Sequence, residues 1–299
     1  MKQVNRFSIS DISAITGIKS ATLRIWEQRY QIIHAKRSAS NIRYYDDFDL
    51  RIFLNISSLI NSGLKISEIA AMSDAQRVEK IQTLSSHQLN TPIVIQELID
   101  QTLSLNEHLF KNTIQNCINE LGVMETMLQC VYPFLNRVGL LWQTGLIAPA
   151  QEHFATSLIK QRLIVAIDDL AIPNSVQENK FILFLPEGEF HEIALLLAQY
   201  IVRAKGFQSL YLGQNLPIPY VQEVVASYGP SYIITVLTND LGEDILANLM
   251  QDMAGRFPTS TILVAGSAVT THSPKPIKNC VPLCAIDELY AFITENVKE

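Results

Sequence analysis

Apolar residues recur along this chain at two different periods, and the change of period divides it. From Ser8 to about residue 75 they fall at helical spacing in short runs separated by turn residues. In SISDISAITGIKSATLRIWEQRY, Ile9, Ile12 and Ile15 share one face, Ser8 or Ser10 stands where a helix N-cap belongs, and Thr16-Gly17-Ile18 supplies a tight turn. A second helix begins near Lys19 and sets Ser20, Thr22, Arg24, Gln28 and Arg29 among Leu23, Ile25 and Trp26; Leu23 and Trp26 are expected in the core. QIIHAKRSASNIRYY is polar between β-prone ends, the pattern of a hairpin carrying Lys36, Arg37 and Arg43. Asp46 or Asp47 then caps a third helix through Asn61, and SGLKISEIAAM adds a break and another short helix.

Residues 76–92 hold few large apolar side chains and end near Pro92, which reads as a linker with some helical character. From Ile93 to about Ile167 the helical period returns, with breaks at Gly122, Pro133 and Pro149, predicting a four-helix bundle. From Lys180 the pattern alternates. KFILFLP, QSLYLG, SYIITVL, TILVAG and VPLCA are short Ile/Leu/Val-rich runs, each followed by a helical stretch, the first from His191 to about Ala204. Such runs predict a parallel sheet covered on both faces, with ligands at the carboxyl ends of its strands. The predicted architecture is multidomain, α and α/β. A winged helix-turn-helix at 1–75 and a linker at 76–92 precede a helical bundle at 93–175 and a flavodoxin-like doubly wound parallel sheet at 176–299.

Composition sharpens this picture in three places. A chain of 299 residues with 48% hydrophobic content can support two or three separate cores. It has no run of about 18 uncharged apolar residues, and MKQVNRFSIS lacks the apolar run of a signal peptide, so no membrane and a cytoplasmic location are expected. Cys117, Cys130, Cys280 and Cys284 show no metal-binding spacing and are expected as reduced core thiols. The net charge of −6 conceals an asymmetry: residues 1–75 carry 10 Lys/Arg against 7 Asp/Glu, the remainder 13 against 22. A basic head on an acidic body suits a DNA-binding segment joined to an effector.

Three groups of residues carry candidate chemistry. Short polar side chains on the second helix can approach base edges while arginines there and on the hairpin reach phosphate. In VGLLWQTGLIAPAQEHFATSLI, Trp142 precedes the pair Glu152-His153, and an aromatic plate near a carboxylate and an imidazole suits a flat polar ligand such as a nucleoside. Read alone this is weak, because a single Trp is usually core and a helical Glu-His pair usually surface. The first strand of the sheet runs into Pro186-Glu187-Gly188-Glu189-Phe190-His191. An imidazole held by a nearby carboxylate is a pre-oriented metal ligand, and one His suffices for a metal already held by a macrocycle. The competing reading of His191 is a helix cap.

TLRIWEQRY, the basic hairpin, RYYDD and SGLKISEI together resemble the MerR family of regulators, with Asn41 where the wing often has Gly. That resemblance implies double-stranded operator DNA as a partner and Thr22, Arg24, Tyr30, Arg37, Arg43 and Tyr44 as its contacts. Glu189-x-His191-x-x-Ala194, Thr235-x-Leu237 and Ala265-Gly266 resemble the E/D-x-H-x-x-G, S/T-x-L and G-G pattern of cobalamin-binding domains. The Trp142 and Glu152-His153 spacing is similar to the helical cap over adenosylcobalamin in MerR-type cobalamin regulators. This second resemblance implies His191 as lower axial ligand of cobalt, oriented by Glu189. It also implies Thr235, Leu237, Ala265 and Gly266 along the nucleotide tail, and Trp142, Glu152 and His153 around the adenosyl group. Ala194 and Ala265 each replace a Gly, adding a methyl where the tail approaches. Gln143 stands where light-sensing members carry His, so a stable bis-histidine photoproduct is not expected. The expected function is a non-enzymatic transcription regulator controlled by adenosylcobalamin or a related corrinoid, acting as a dimer or tetramer. The alternatives are a regulator whose cobalamin pocket is vestigial and a corrinoid carrier protein.

Overall fold

A computed structural model describes residues 6–38, 41–85, 90–143, 145–171 and 179–297. The chain divides into two compact units, Met1–Leu158 and Ile159–Glu299.

The first unit opens with α1 (Ile9–Thr16) and α2 (Ser20–Tyr30), followed by β1 (Lys36–Arg37), β2 (Arg43–Tyr44), α3 (Asp47–Asn61), α4 (Ile66–Ala70) and α5 (Asp74–Ser85). Local signals explain these boundaries. Ser8 caps α1 in a reciprocal box with Asp11, and Gly17 ends it at φ 75°. Asp46 caps α3 in the same way with Asp49. The hairpin pairs Lys36 with Tyr44 and Arg37 with Arg43, and its turn places Asn41 at φ 63°, a conformation that Asn tolerates. Phe7, Ile12, Ile15, Leu23, Ile33, Tyr45, Phe53 and Leu59 form the buried core. Trp26, expected there, is only half-buried. Helix α5 occupies the first part of the stretch read as a linker, and residues 86–89 lie outside the described ones. Its Arg77 is buried, donating to the Ile69 carbonyl at 3.1 Å and the Asp74 carboxylate at 2.6 Å.

The bundle consists of α6 (Thr91–Leu103), α7 (Glu107–Thr126), α8 (Tyr132–Gln143) and α9 (Pro149–Asp168), and the boundary between the units falls within α9. Gly122 breaks the α7 geometry at φ 80°. A π-helical turn, Met127–Val131, joins α7 to α8 immediately before Pro133. Proline lacks an N–H and its ring crowds the carbonyl one turn back, and a widened turn relieves that crowding. Among the described residues, no helix is long and apolar enough to cross a membrane.

The second unit is built from β3 (Lys180–Pro186), α10 (Glu192–Ala204), β4 (Gln208–Leu216), α11 (Ile218–Tyr228), β5 (Tyr232–Val236), α12 (Glu243–Arg256), β6 (Thr261–Ala265), α13 (Ser267–His272), β7 (Cys280–Pro282) and α14 (Ile286–Asn296). The five strands are parallel in the order β4-β3-β5-β6-β7. Successive side chains of a strand point to opposite faces. Ile182 and Phe184 therefore join Ile233, Ile262 and Val264 against α11, α12 and α13. Phe181, Leu183 and Leu185 fill the other face, which α10 covers. Cys280 is buried, and desolvation pushes its thiol up to about 12; Cys284, expected in the core, is exposed. In this strand order the chain reverses direction between β3 and β5, where a crevice opens at the carboxyl ends.

Candidate functional site

In the head, α2 presents Arg24 to solvent with Thr22 partly exposed beside it, and Tyr30 ends the helix under the Arg29 guanidinium at 5.5 Å. Arg37 and Arg43 face each other across the hairpin, both exposed. Arg37 donates to the Asn41 side chain at 2.7 Å, and Tyr44 lies beneath the Arg6 guanidinium at 4.8 Å. Lys36, carried on the same hairpin, bonds the carboxylates of Asp46 at 2.5 Å and Asp49 at 2.7 Å. Desolvation opposes its charge, but these two carboxylates outweigh it and raise its pKa. Sequence reasoning missed Glu27. Its carboxylate accepts the Ala35 N–H at 2.8 Å and stands 3.8 Å from Arg43, tying the base of the wing to α2. Nothing in a nine-residue motif read along one helix reveals a contact to the following hairpin.

At the end of β3 the chain turns so that Glu189 points back under the loop, 4% exposed, while His191 stands at the N-cap of α10 with its side chain half-exposed. One Glu189 oxygen, Oε1, accepts the His191 Nδ1–H at 2.5 Å and the backbone N–H groups of Phe190 at 2.9 Å and His191 at 3.0 Å. The other, Oε2, accepts the N–H groups of Thr238 at 2.7 Å and Asn239 at 3.0 Å, from the loop after β5. Burial alone would push this carboxyl up. The His191 ring and the N–H groups of Asn239, His191 and Thr238 outweigh it and hold the carboxyl at about 2. An ionised carboxylate only accepts, so in the neutral ring Nδ1 carries the proton and Nε2 the lone pair. Asn215, at φ 59°, and Asn239 brace the same loop, through Gly188 N–H at 2.9 Å and Gly188 C=O at 3.1 Å. Sequence reasoning missed these two asparagines: Asn215 lies near the end of β4 and Asn239 in the loop after β5.

Thr235, Leu237, Ala265 and Gly266 come together at the ends of β5 and β6. Thr235 is fully buried, and its Oγ1 has no hydrogen-bond partner among the described residues. Leu237 donates to the Ala265 carbonyl at 2.8 Å and accepts from Ala268 at 3.0 Å. Gly266 has φ 110°, and a Cβ there would collide with the Leu237 carbonyl oxygen. This glycine is thus demanded by the protein's own backbone. Ala265 continues regular strand pairing opposite Val236, and Ala194 lies partly exposed on the first turn of α10.

In the first unit, Trp142 is 53% exposed near the end of α8, contrary to the usual core placement of a lone Trp. Glu152 and His153 begin α9 with 3.6 Å between carboxylate and ring, the His153 side chain 77% exposed. The Gln143 side chain lies outside the described residues.

Comparison with known proteins falls on the same regions. Residues 7–76 match the model of the MerR HTH family regulatory protein, and residues 94–166 match the B12 binding domain. The chain is 23% identical over 277 residues to the HTH-type transcriptional repressor CarH of Myxococcus xanthus, covering 89% of this chain and 90% of that one. It is 24% identical to the repressor CarA of the same organism, over 88% of each. Among solved structures, the monomethylamine corrinoid protein of Methanosarcina barkeri shares the fold at a TM-score of 0.53 and 18% identity, covering 68% of this chain and 97% of that one. A MerR-type helix-turn-helix thus stands ahead of a B12-binding region in this chain, an arrangement that supports a cobalamin-controlled DNA-binding regulator.

Proposed function

We propose that adenosylcobalamin is the form sensed, that His191 is the lower axial ligand of its cobalt, and that binding changes the assembly of this chain on its operator. The observation that carries this reading is the Glu189–His191 pair, an imidazole held at 2.5 Å by a buried, ionised carboxylate in the crevice between β3 and β5. With Nδ1 engaged, Nε2 is the nitrogen suited to a metal. When bound, the corrinoid supplies a cobalt that accepts an imidazole as axial ligand. The buried Thr235 hydroxyl, without a partner among the described residues, suits a polar atom of the nucleotide tail, with Leu237, Ala265 and Gly266 beside it. Trp142, Glu152 and His153 are assigned to the upper adenosyl group, and the exposure of Trp142 supports that assignment.

On the DNA side, Thr22, Arg24 and Tyr30 of α2 and Arg37, Arg43 and Tyr44 of the wing are assigned to the operator. A ligand regulates only if it favours one assembly over another. A dimer or tetramer whose heads are spaced to repeated half-sites meets that requirement. The names of the Myxococcus xanthus relatives make repression the sign to test, and the cytoplasm, where an operator lies, is the expected location.

The test is a spectral titration of the full chain with adenosylcobalamin in the dark, beside His191→Ala, followed by a mobility-shift assay with and without ligand. The expected result is binding at least roughly tenfold weaker in the variant, and a ligand-dependent shift of operator DNA in the wild type. Absence of any binding would favour the second reading, a regulator whose pocket is closed by the methyls of Ala194 and Ala265.

A further inference from the structure

A further imidazole–carboxylate pair adjoins the loop that bonds Glu189. His272, in the last turn of α13, meets Asp240 with 2.7 Å between Nε2 and Oδ1. Asp240 belongs to the loop between β5 and α12, and the same Oδ1 accepts the Gly242 N–H at 3.0 Å. That loop supplies the Thr238 and Asn239 N–H groups to Glu189. Its far side is also fastened to α13, because the Ser267 hydroxyl donates to the Thr238 carbonyl at 2.7 Å. One short segment thus has Glu189 on one side and α13 on the other. The Asp240 carboxylate lies in solvent while the His272 ring is largely covered, and a pair with one exposed partner contributes little to stability by itself. Here it anchors the peptide units whose N–H groups keep the Glu189 carboxylate in place.

We propose that His272 and Asp240 are positioning residues for His191, acting through the loop that hands two N–H donors to Glu189. The effect runs from α13 to the loop, from the loop to Glu189, and from Glu189 to the His191 ring. The importance of that ring rests on the reading of His191 as the corrinoid ligand, but the positioning itself is a property of the protein without ligand.

Nuclear magnetic resonance of the full chain, with nitrogen-labelled histidine and without cobalamin, tests it in His272→Ala, Asp240→Asn and His272→Gln. In the first two variants the Thr238 and Asn239 amides should exchange roughly threefold faster, the scale set by an exposed ion pair. The His191 ring nitrogens should shift toward the other tautomer, with the melting temperature unchanged. Gln keeps a donor at the end of the side chain, and His272→Gln should restore the wild-type signals. An unchanged His191 ring and unchanged amides in both His272→Ala and Asp240→Asn would overturn the proposal. A parallel titration with adenosylcobalamin separates the two ideas. If wild type fails to bind while the ring signals respond, the cofactor reading falls and the positioning stands; if wild type binds through His191 while those signals stay fixed, only the positioning falls.

Discussion

Glu152–His153 and Glu189–His191 contain the same two residue types, yet they form different objects. Neighbours on a helix project about 100° apart, so Glu152 and His153 stay 3.6 Å apart with the ring in solvent. Glu189 and His191 are separated by one residue at the end of a strand, where the turn into α10 folds the carboxylate beneath the imidazole at 2.5 Å. The second carboxylate is also surrounded by backbone N–H groups, which keep it charged although it is buried. A rigid carboxylate–imidazole pair needs a reversing backbone and enough donors to hold the charge after water has left. Proximity in sequence supplies neither.

The sharpest way to break this contrast is Gly266→Ala. Its Cβ would meet the Leu237 carbonyl, and both backbone polar groups of Leu237 are already bonded, to Ala265 and Ala268, so the backbone cannot yield cheaply. A loss of about 3 kcal/mol is expected in urea denaturation; an unchanged midpoint would show that the β5–β6 junction is softer than described. Glu189→Gln keeps the volume but brings an amide N–H₂ among donors, and adenosylcobalamin affinity should fall about 10–100-fold. Its acid behaviour follows from the depressed carboxyl. With an ordinary value of 4.5 and a folded value of about 2, the charged Glu189 contributes stability above 4.5 that is lost as pH falls toward 2. Denaturation of Glu189→Gln should therefore be less pH-dependent across that window, and parallel curves would contradict the assignment.

The looser pair should respond differently. Trp142→Ala should lower adenosylcobalamin affinity about tenfold, the scale of one aromatic contact, and leave cyanocobalamin, which lacks the adenosyl group, bound as before. Equal losses for the two corrinoids would remove Trp142 from the upper face. His153→Ala should shift the stability of the ligand-free protein by no more than about 0.5 kcal/mol, as for an ordinary surface substitution; a larger change by thermal denaturation would make the Glu152–His153 pair structural.

Much of this fold is written in local signals. The Ser8 cap, the Gly17 turn and the positive φ of Asn41 each depend on one residue's own conformational preference, which a sequence displays directly. The five strands are legible because a strand buried on both faces must be apolar throughout. Of the candidate site, the sequence displays residue types and spacing but not the partners that hold them. Glu189 draws on Thr238 and Asn239 through backbone N–H groups that any residue could offer from that distance in sequence. The partners of Lys36 are hidden for a related reason: only the fold brings Asp46 and Asp49 to it. Trp142 was legible as an aromatic, whereas its exposure depends on how α8 leaves the preceding turn.

That exit is governed by the π-helical turn at Met127–Val131. A π turn holds one residue more than the α-helical path it interrupts, and one residue corresponds to about 100° of rotation around a helix axis. The segment therefore works as a phase element, since every side chain downstream in α8 is rotated relative to α7 by the presence of that extra residue. Removing a single position there would preserve the composition of α8 and its apolar spacing while turning Trp142 toward a different azimuth. The compass bearing of the aromatic plate is thus written in the length of the chain before Pro133, away from the plate itself.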